Sequence, residues 1–340
     1  MNINDFNFDL PQNLIAQTPL INRSDSKLLV LNKENGDIEH KNFRDIVELL
    51  DSNDILVLND TKVIPSRITG IKQETSAVIE LLLLNEVEAT TWIALTKPAK
   101  RVKIGTVIDF GNKLKAECIE ILDDGIRKFK LIYDGILYEI LDELGTMPLP
   151  PYITKKLDDP DKYQTVYAKN PGSAAAPTAG LHFTKDVLND LEKKGVEVLY
   201  ITLHVGLGTF RPVMVENILD HTMHSEYYEI SDEVASKINN AKKYGKSVVS
   251  VGTTTTRVLE SVSNKFGTLK GDVSSTDIFI YPGYNFLCVD KLITNFHLPK
   301  STLLMLISAF SNRDYIMKAY SSAIDHQYRF FSFGDSMFIK

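Results

Sequence analysis

Apolar runs and helical patterns alternate in the first and last parts of the chain. After a cap at Thr184, for example, Val187, Leu188 and Leu191 recur at helical spacing, and the pattern ends at Gly195. The helices predicted in this way span 42–50, 137–144, 184–195, 231–244, 301–310 and 315–326, and a further helix follows the run 252–257. Predicted strands lie at 28–31, 37–40, 55–58, 196–204, 227–230, 247–251, 277–281 and 292–296. This alternation predicts an α/β sheet domain with helices on its faces.

Between residues 67 and 134 the pattern changes. Short strand-like runs separated by turn residues lie at 77–84, 91–96, 107–110, 114–121 and 126–133. No helical pattern interrupts them, and such a series is typical of a small closed β-barrel. Because strand–helix order resumes afterwards, we predict a discontinuous α/β catalytic domain of residues 1–66 and 135–340. It carries an inserted β-barrel domain of residues 67–134.

Composition is that of an ordinary globular protein. Hydrophobic residues make up 44% and charged residues 24% of the 340 residues. No apolar run approaches the roughly 18 residues of a spanning helix, and no basic segment followed by an apolar one opens the chain. The two cysteines, Cys118 and Cys288, are too few for a disulfide framework. We therefore expect a cytoplasmic protein with no membrane partner.

The stretch 170–212 combines very small residues with two histidines. Ser173 and the three alanines after it would let the backbone approach another group closely. His182 and His204 lie at opposite ends of one predicted helix–strand unit, as expected for a pocket built from two loops. The loop 206–211 begins like a dinucleotide fingerprint, but it lacks the third glycine and no helix follows, so we reject that interpretation.

Polar residues follow several predicted strands, which is where ligands bind in α/β sheets. Asn59–Lys62 follow the strand at 55–58, although a turn that caps itself explains these residues equally well. The run Gly252–Arg257 separates a strand from a helix, and a helix N-terminus favours an anionic ligand group. This run lacks the GK[ST] of a nucleotide-binding P-loop, which disfavours hydrolysis of a nucleoside triphosphate.

Two charged clusters have competing interpretations. His221, His224 and Glu226 would suit zinc together with the other histidines, but the H-x-x-H-x-E spacing is not a strong zinc signature. The loop 97–103 contains four basic residues, which suit phosphate contacts as well as a solvated loop. The net charge of −6 argues against a non-specific nucleic-acid coat, but it allows such a local basic patch.

Long blocks of the sequence resemble one family. They include LVLNDTKVIPSRITG, KPAKRVKIG, GSAAAPTAGLHFT, ITLHVGLGTFRPV, MHSEYYEI, VGTTTTRVLES and TNFHLPKSTLLMLISAF, in order from about residue 56 to residue 310. These blocks are similar to those of the S-adenosylmethionine:tRNA ribosyltransferase-isomerases of queuosine biosynthesis. The N-terminal segment also resembles the start of that family, so the resemblance covers nearly the whole chain.

The resemblance implies an enzyme and a specific reaction. The ribosyl moiety of S-adenosylmethionine would be transferred to 7-aminomethyl-7-deazaguanine at the tRNA wobble position and isomerised. The products would be epoxyqueuosine in the tRNA, adenine and methionine. S-adenosylmethionine would be a consumed co-substrate, and the reaction requires no metal and no redox cofactor. We expect tRNA and S-adenosylmethionine as partners of a monomer with an α/β domain and an inserted barrel.

This chemistry needs general acids and bases, a task for which histidine and carboxylate side chains are suited. The resemblance and the spacing together predict three groups of site residues. The predicted catalytic residues are His204, His182, His224 and Glu226, with His204 as the leading candidate. The predicted substrate-binding residues are Asp60, Lys62, Thr178, Arg211, Thr253, Thr254, Asp277, Asn295 and His297. The predicted tRNA-binding residues are Lys97, Lys100, Arg101 and Lys103.

Two other function classes compete with this prediction. A metal-dependent hydrolase would use His182, His204, His224 and Glu226 as ligands. A non-catalytic RNA-binding factor would use the barrel and its basic loop, but it would not need the polar strand ends. Stoichiometric zinc in the purified protein would favour the first class.

Overall fold

A computed structural model describes residues 1–206, 213 and 215–340. The chain divides into two compact units. The first unit comprises Met1–Thr61, Pro150–Asn170 and Pro177–Lys340, and the second comprises Lys62–Leu149 and Pro171–Ala176. The domain boundaries predicted from the sequence, after residues 66 and 134, remain a prediction.

Strands and helices of the described residues are numbered in chain order. The strands are β1 (Lys27–Leu31), β2 (Ile38–Asn42), β3 (Asp54–Asn59), β4 (Thr61–Val63), β5 (Arg67–Lys72), β6 (Val78–Glu88), β7 (Thr91–Lys97), β8 (Val107–Phe110), β9 (Leu114–Ile121), β10 (Ile126–Tyr133), β11 (Gly145–Thr146), β12 (Asn170–Ser173), β13 (Glu197–Leu203), β14 (Glu226–Ile230), β15 (Ser247–Val251), β16 (Asp272–Thr276), β17 (Lys291–Asn295) and β18 (Ser336–Ile339). The helices are α1 (Ile46–Leu49), α2 (Leu137–Leu144), α3 (Lys185–Lys193), α4 (Asp232–Lys243), α5 (Thr253–Phe266), α6 (Thr302–Phe310) and α7 (Arg313–Asp325).

The first unit is built on a mixed sheet with the strand order β16-β14-β13-β3-β15-β17-β18-β1-β2. Its four central strands, β13, β3, β15 and β17, are parallel to one another. On one side β14 and β16 continue the sheet in antiparallel pairing, and on the other β18 is antiparallel to β17. The carboxyl ends of the four central strands therefore lie along one edge of the sheet.

Helices pack on this sheet through the apolar faces that the sequence predicts. In α3 the hydroxyl of Thr184 accepts a hydrogen bond from Val187 N, and Val187, Leu188 and Leu191 are buried. These three side chains share a core with Phe43 and Phe183 and with apolar residues of the central strands. The predicted α/β class is confirmed. In the part of the chain that the structure describes, no helix combines the length and apolarity needed to cross a bilayer.

The second unit contains a closed β-barrel, as the sequence predicts. Its strands follow the order β5-β6-β7-β10-β9-β8, and β8 pairs back with β5 to close it. Gly70 in β5 permits this closure, because a Cβ there would lie 2.6 Å from the carbonyl oxygen of Asp109 and from the Phe110 ring. Trp92 and Phe129 fill the apolar interior of the barrel.

One predicted strand is wrong. The sequence predicts a strand over 277–281, whereas β16 ends at Thr276 and residues 277–281 form no strand. The segment Asp272–Thr276 is polar and alternates in exposure, so it lacked an apolar signal, but it pairs with every residue of β14. The apolar residues that suggested a strand instead pack in a loop, where the Phe279 ring contacts the His221 ring edge to face.

Candidate active site

The end of β13 is held by side chains at the end of β3 and just after it. Asn59 reproduces a backbone pairing, because its Nδ2 donates to the carbonyl oxygen of Leu203 at 2.9 Å and its Oδ1 accepts from Leu203 N at 3.0 Å. The hydroxyl of Thr61 lies 2.7 Å from Nδ1 of His204. Both Asn59 and Thr61 are fully buried. The turn after β3 therefore fixes the backbone before His204 and its imidazole ring.

Asp60 occupies the same turn and is also held in place. Thr202 Oγ1 donates to Asp60 Oδ1 at 2.7 Å, and Asn170 Nδ2 lies 3.1 Å from both carboxylate oxygens. The Asp60 side chain is buried. The polar residues after β3 thus do more than cap their own turn, because they bind the neighbouring parallel strand.

His204 is a partly buried imidazole at the carboxyl end of β13. Burial lowers its pKa to about 4, so the ring is neutral near pH 7. It stacks on the ring of Tyr227, with centroids 5.4 Å apart and an interplanar angle of 18°. Tyr227 is 38% exposed, so this ring pair lies at the protein surface. The arrangement gives a neutral histidine with one ring nitrogen directed to Thr61.

Glu226 begins β14 and is the centre of a buried polar cluster. Its Oε1 lies 3.2 Å from His224 Nε2 and accepts from the Gly206 amide at 2.9 Å. Its Oε2 forms an ion pair with the guanidinium of Arg257. Burial alone raises the pKa of Glu226, but Arg257, His224 and the Gly206 amide outweigh it and lower the pKa to about 2. Glu226 is therefore a permanent carboxylate at physiological pH.

His224 connects this cluster to solvent, since its side chain is 26% exposed whereas that of Glu226 is fully buried. Burial and the neighbouring His224 lower the pKa of His221. Among the described residues, no group of three or more histidine, cysteine, aspartate or glutamate side chains is arranged to hold a metal ion. An acid–base role for His224 and Glu226 remains a prediction.

His182 is buried, and the hydrogen-bond partners described for it are not part of the His224–Glu226 cluster. Its Nδ1 is 2.7 Å from Ser26 Oγ, and its Nε2 is 3.1 Å from Asn295 Nδ2. Phe43 stacks on the ring at 5.1 Å between centroids. Burial lowers the pKa of His182 to about 3, with further lowering from the charges of nearby arginines. Both ring nitrogens are thus occupied, and the ring is neutral.

The N-terminus of α5 follows Gly252, whose φ of +87° is the left-handed conformation that glycine tolerates. Thr255 Oγ1 donates to the Val251 carbonyl oxygen at 2.7 Å. Thr253 and Thr254 are buried, and Thr254 Oγ1 finds no hydrogen-bond partner within the described part of the chain. This helix start is therefore polar and contains a hydroxyl without a partner among the described residues, and its binding of a ligand remains a prediction.

The remaining predicted substrate-binding residues lie in different environments. Thr178 Oγ1 donates to Asn295 Oδ1 at 3.1 Å. His297 is buried with Nε2 2.8 Å from Thr294 Oγ1, and burial lowers its pKa to about 3. Asp277 is exposed directly after β16. Arg211 lies outside the described residues, and Lys62 is an exposed residue of β4 in the second unit.

The structure adds residues that sequence reasoning missed. Thr61, Thr202 and Asn170 orient predicted residues, but the sequence assigned them no role of their own, because their partners are far away in the sequence. Arg257 had a signal, since it ends the run Gly252–Arg257; in the structure residues 253–257 of that run form the start of α5. Ligand binding was assigned to the hydroxyls and backbone amides of that run, and the guanidinium was given no role.

In the second unit the basic loop 97–103 rests on a buried arginine. The exposed side chains are those of Lys97, Lys100, Arg101 and Lys103. Beneath them, Arg127 is 8% exposed and donates to the carbonyl oxygens of Ala99 at 3.2 Å, Val102 at 3.5 Å and Ile126 at 2.8 Å. These bonds fix the loop backbone and leave the four cationic side chains directed to solvent.

Together the fold and these clustered histidine, carboxylate and guanidinium groups define an α/β enzyme with an inserted β-barrel. The chain belongs to the queuosine biosynthesis protein family, whose model matches residues 3–339. It is 59% identical to proteins named S-adenosylmethionine:tRNA ribosyltransferase-isomerase from Staphylococcus epidermidis, over 340 residues, and Clostridioides difficile, over 341 residues, with full coverage of both chains each time. The family resemblance predicted from the sequence is therefore confirmed.

A solved structure is also similar along the whole chain. It is that of an S-adenosylmethionine tRNA ribosyltransferase from Thermotoga maritima, at 37% identity and a TM-score of 0.58. The similarity covers 99% of this chain and 100% of the other. The fold class and the enzyme class predicted from the sequence both agree with this match.

Proposed function

We propose that this protein transfers the ribosyl moiety of S-adenosylmethionine to 7-aminomethyl-7-deazaguanine at the tRNA wobble position and isomerises it. The products are epoxyqueuosine in the tRNA, adenine and methionine, and S-adenosylmethionine is consumed as a co-substrate. The observation that carries the proposal is the 59% identity over the full length to relatives with the corresponding name. No metal and no redox cofactor take part in the proposed reaction, which proceeds by proton transfer and displacement.

The reaction first requires a base that removes a proton from the carbon next to the sulfonium. It also requires an acid that protonates the leaving adenine. His224 and His204 are our candidates for these two tasks. The carboxylate of Glu226 binds Nε2 of His224 at 3.2 Å, and the His224 side chain is partly exposed. The hydroxyl of Thr61 binds one nitrogen of His204 in the same way. His182, whose two ring nitrogens are occupied, acts on the site by positioning Asn295 rather than by moving protons.

The remaining polar groups of the first unit would bind the co-substrate. The N-terminus of α5, with Thr253 and Thr254, suits the methionine carboxylate, because a helix N-terminus favours an anion. Arg211 would complete this carboxylate site. Asp60 suits ribose hydroxyls or the acceptor amine, since its oxygens are fixed by two donors and keep unused lone pairs. Thr178, Asn295, His297 and Asp277 are the other proposed contacts.

The basic loop of the second unit would bind tRNA phosphates. Lys97, Lys100, Arg101 and Lys103 are exposed and share one short loop. Such contacts give an affinity that falls steeply with salt. Lys62 of β4 is proposed as a substrate-binding residue and not as part of this basic loop. We propose that the enzyme acts as a monomer in the cytoplasm.

The test is one incubation of the purified protein with S-adenosylmethionine and tRNA that carries the 7-aminomethyl base. Equal amounts of adenine and methionine, together with a heavier wobble nucleoside by mass spectrometry, are the expected result. S-adenosylhomocysteine in place of adenine would instead identify a methyltransferase and refute the proposal. H204A and H224A should each lose turnover, whereas H326A, a change at an exposed histidine, should retain it.

A further inference from the structure

A cavity beside His182 in the first unit is lined by two cationic side chains. It offers about 310 Å³ of space, part of which is open to solvent. Its walls are the segments that precede β1, α3 and β18, together with the helical turn Pro160–Tyr163. Its polar lining consists of Arg23, Ser26, Lys162, His182 and Ser332. No aspartate or glutamate is among the described residues that line it.

Arg23 is held in the cavity wall by carbonyl groups. Its Nη1 donates to the carbonyl oxygen of Gln164 at 2.5 Å, and its Nη2 donates to that of Asp161 at 2.9 Å. Burial lowers the pKa of Arg23, and the charges of Asp159 and Asp161 oppose this effect without cancelling it. The guanidinium is thus partly desolvated and bonded to neutral oxygens, so an anion in the cavity would be a favourable partner.

Lys162 supplies the second cation from the helical turn. Its side chain is exposed and forms no ion pair with any acidic group that the structure describes. The nearby carboxylate of Asp159 caps the same turn, because its Oδ1 accepts from the Asp161 amide at 3.0 Å. That carboxylate therefore stabilises the backbone beneath Lys162 and leaves the ammonium group available for a ligand.

Arg329 adds positive charge close to the cavity. Burial lowers the pKa of His182, and the charges of Arg329 and Arg23 lower it further. Nη2 of Arg329 binds the carbonyl oxygen of Thr18, whereas Nη1 is buried and has no hydrogen-bond partner within the described part of the chain. The carboxylate of Asp335 offsets this charge only in part, because its two oxygens accept from backbone amides. A buried cationic donor without an acceptor is costly, and a nearby anion reduces that cost.

We propose that this cavity binds one phosphate group of the tRNA backbone. The space suits a single phosphate, with Arg23 on the inner wall and Lys162 towards solvent. The other oxyanion of the reaction is the methionine carboxylate, for which the N-terminus of α5 is the proposed site. The first unit would then hold tRNA independently of the basic loop in the second unit. The identity of the anion rests on the proposed function, whereas the oxyanion site does not.

The first experiment measures substrate affinity in K162M, which removes a charge without breaking a described hydrogen bond. We expect KM for tRNA to rise about fivefold while kcat and KM for S-adenosylmethionine stay unchanged. The slope of log KM for tRNA against log salt concentration should fall by about one. K162R should restore both values. K156M, at an exposed lysine that does not line the cavity, is the matched control and should behave like the unmodified enzyme.

The second experiment probes the site with inorganic phosphate and needs no turnover. At constant ionic strength, about 20 mM phosphate should raise the Tm of the unmodified protein by about 2 °C, and the increase should be smaller in K162M than in K156M. The proposal is wrong if K162M and K156M share the same KM for tRNA and the same salt slope, or if phosphate protects both variants equally.

The two substrates and the proposed function are separated by the same measurements. If K162M raises KM for S-adenosylmethionine and not that for tRNA, the cavity holds the methionine carboxylate and the assignment to tRNA is wrong. An unmodified enzyme that releases no adenine would refute the proposed function. Protection by phosphate that depends on Lys162 would still establish the oxyanion site in that case.

Discussion

The Thr61 hydroxyl and the His204 imidazole are joined by a hydrogen bond of 2.7 Å between Oγ1 and Nδ1. It connects the residues that follow two neighbouring parallel strands, β3 and β13. The backbone around His204 is fixed independently, because Asn59 binds the Leu203 backbone through both the nitrogen and the oxygen of its side-chain amide. The hydroxyl therefore determines how the ring is oriented rather than where it lies.

Replacing Thr61 by valine tests this separation. T61V keeps the shape of the side chain but leaves Nδ1 of His204 without its partner. We expect kcat to fall about tenfold and the free energy of unfolding to fall by only about 1 kcal/mol. T61S, which restores the hydroxyl, should recover most of the activity. T69V, at an exposed threonine of β5, is the matched control. Full activity of T61V would contradict the proposed role of the bond.

His204 and His182 show how far the sequence predicts this site. Both were predicted as catalytic because each adjoins a loop at the end of a helix–strand unit. The structure separates them, since His182 is enclosed by Ser26 and Asn295, which are 156 and 113 residues distant in the sequence. Hydrophobic periodicity identifies strand ends, and hence the edge of the sheet that carries ligands. It contains no information on which distant side chain meets which ring nitrogen.

The polar strand β16 shows the same limit for the fold. Its sequence, DVSST, has no apolar run, and it forms only because β14 offers a free edge for pairing. The preceding helix and the barrel strands were predicted because their apolar residues recur at regular spacing along the sequence. A strand that is stabilised mainly by pairing with a neighbour cannot be predicted from the local spacing of apolar residues.

The buried neutral histidines predict a loss of stability in mild acid. Burial lowers the pKa of His182 and His297 to about 3, whereas an unfolded histidine titrates near 6.5. Below pH 6.5 the unfolded chain therefore binds protons that the folded chain does not, and stability falls with decreasing pH. Between pH 8 and pH 5.5 the loss is about 1.4 kcal/mol for each histidine. Urea unfolding at the two pH values measures it.

A variant isolates the contribution of one ring. H182L should be less stable at pH 8 by about 2 kcal/mol, because Ser26 and Asn295 lose a buried hydrogen-bond partner. Its stability should then decrease less between pH 8 and pH 5.5, by the share of one histidine. The carboxylate of Glu226 adds nothing in this range, since its pKa of about 2 makes it lose stability only below about pH 4.5. An unchanged pH dependence of H182L would show that His182 is not the titrating group.

Glu260 on α5 has a buried carboxylate, and we expect its negative charge to stabilise the fold. Its buried carboxylate accepts hydrogen bonds from Tyr284 OH at 3.0 Å and from the amides of Leu287, Cys288 and Val289 at 2.9, 3.0 and 3.0 Å. In E260Q one of the two oxygens becomes an NH₂ group that faces donors. We expect a loss of about 3 kcal/mol in the free energy of unfolding.

Y284F provides the control for Glu260, because it removes one of the four donors and leaves the carboxylate unchanged. Its expected cost is about 1 kcal/mol, measured in the same urea titration. If E260Q is no less stable than Y284F, the amide donors do not depend on the negative charge. Catalytic constants at 25 °C should be unaffected in Y284F, since Tyr284 is not among the proposed site residues.

The buried Arg127 predicts that the geometry of the basic loop, and not only its charge, determines tRNA binding. Arg127 donates to the carbonyl oxygens of Ala99 and Val102, so R127M leaves the loop backbone unsupported while all four exposed cations remain. We expect KM for tRNA to rise about tenfold with KM for S-adenosylmethionine unchanged. R67M, which breaks the half-buried ion pair of Arg67 with Glu80 in the same barrel, is the matched control and should leave both constants within about twofold. If R127M binds tRNA as tightly as R67M and with the same salt dependence, the cations act without a fixed backbone, and the loop is an electrostatic patch alone.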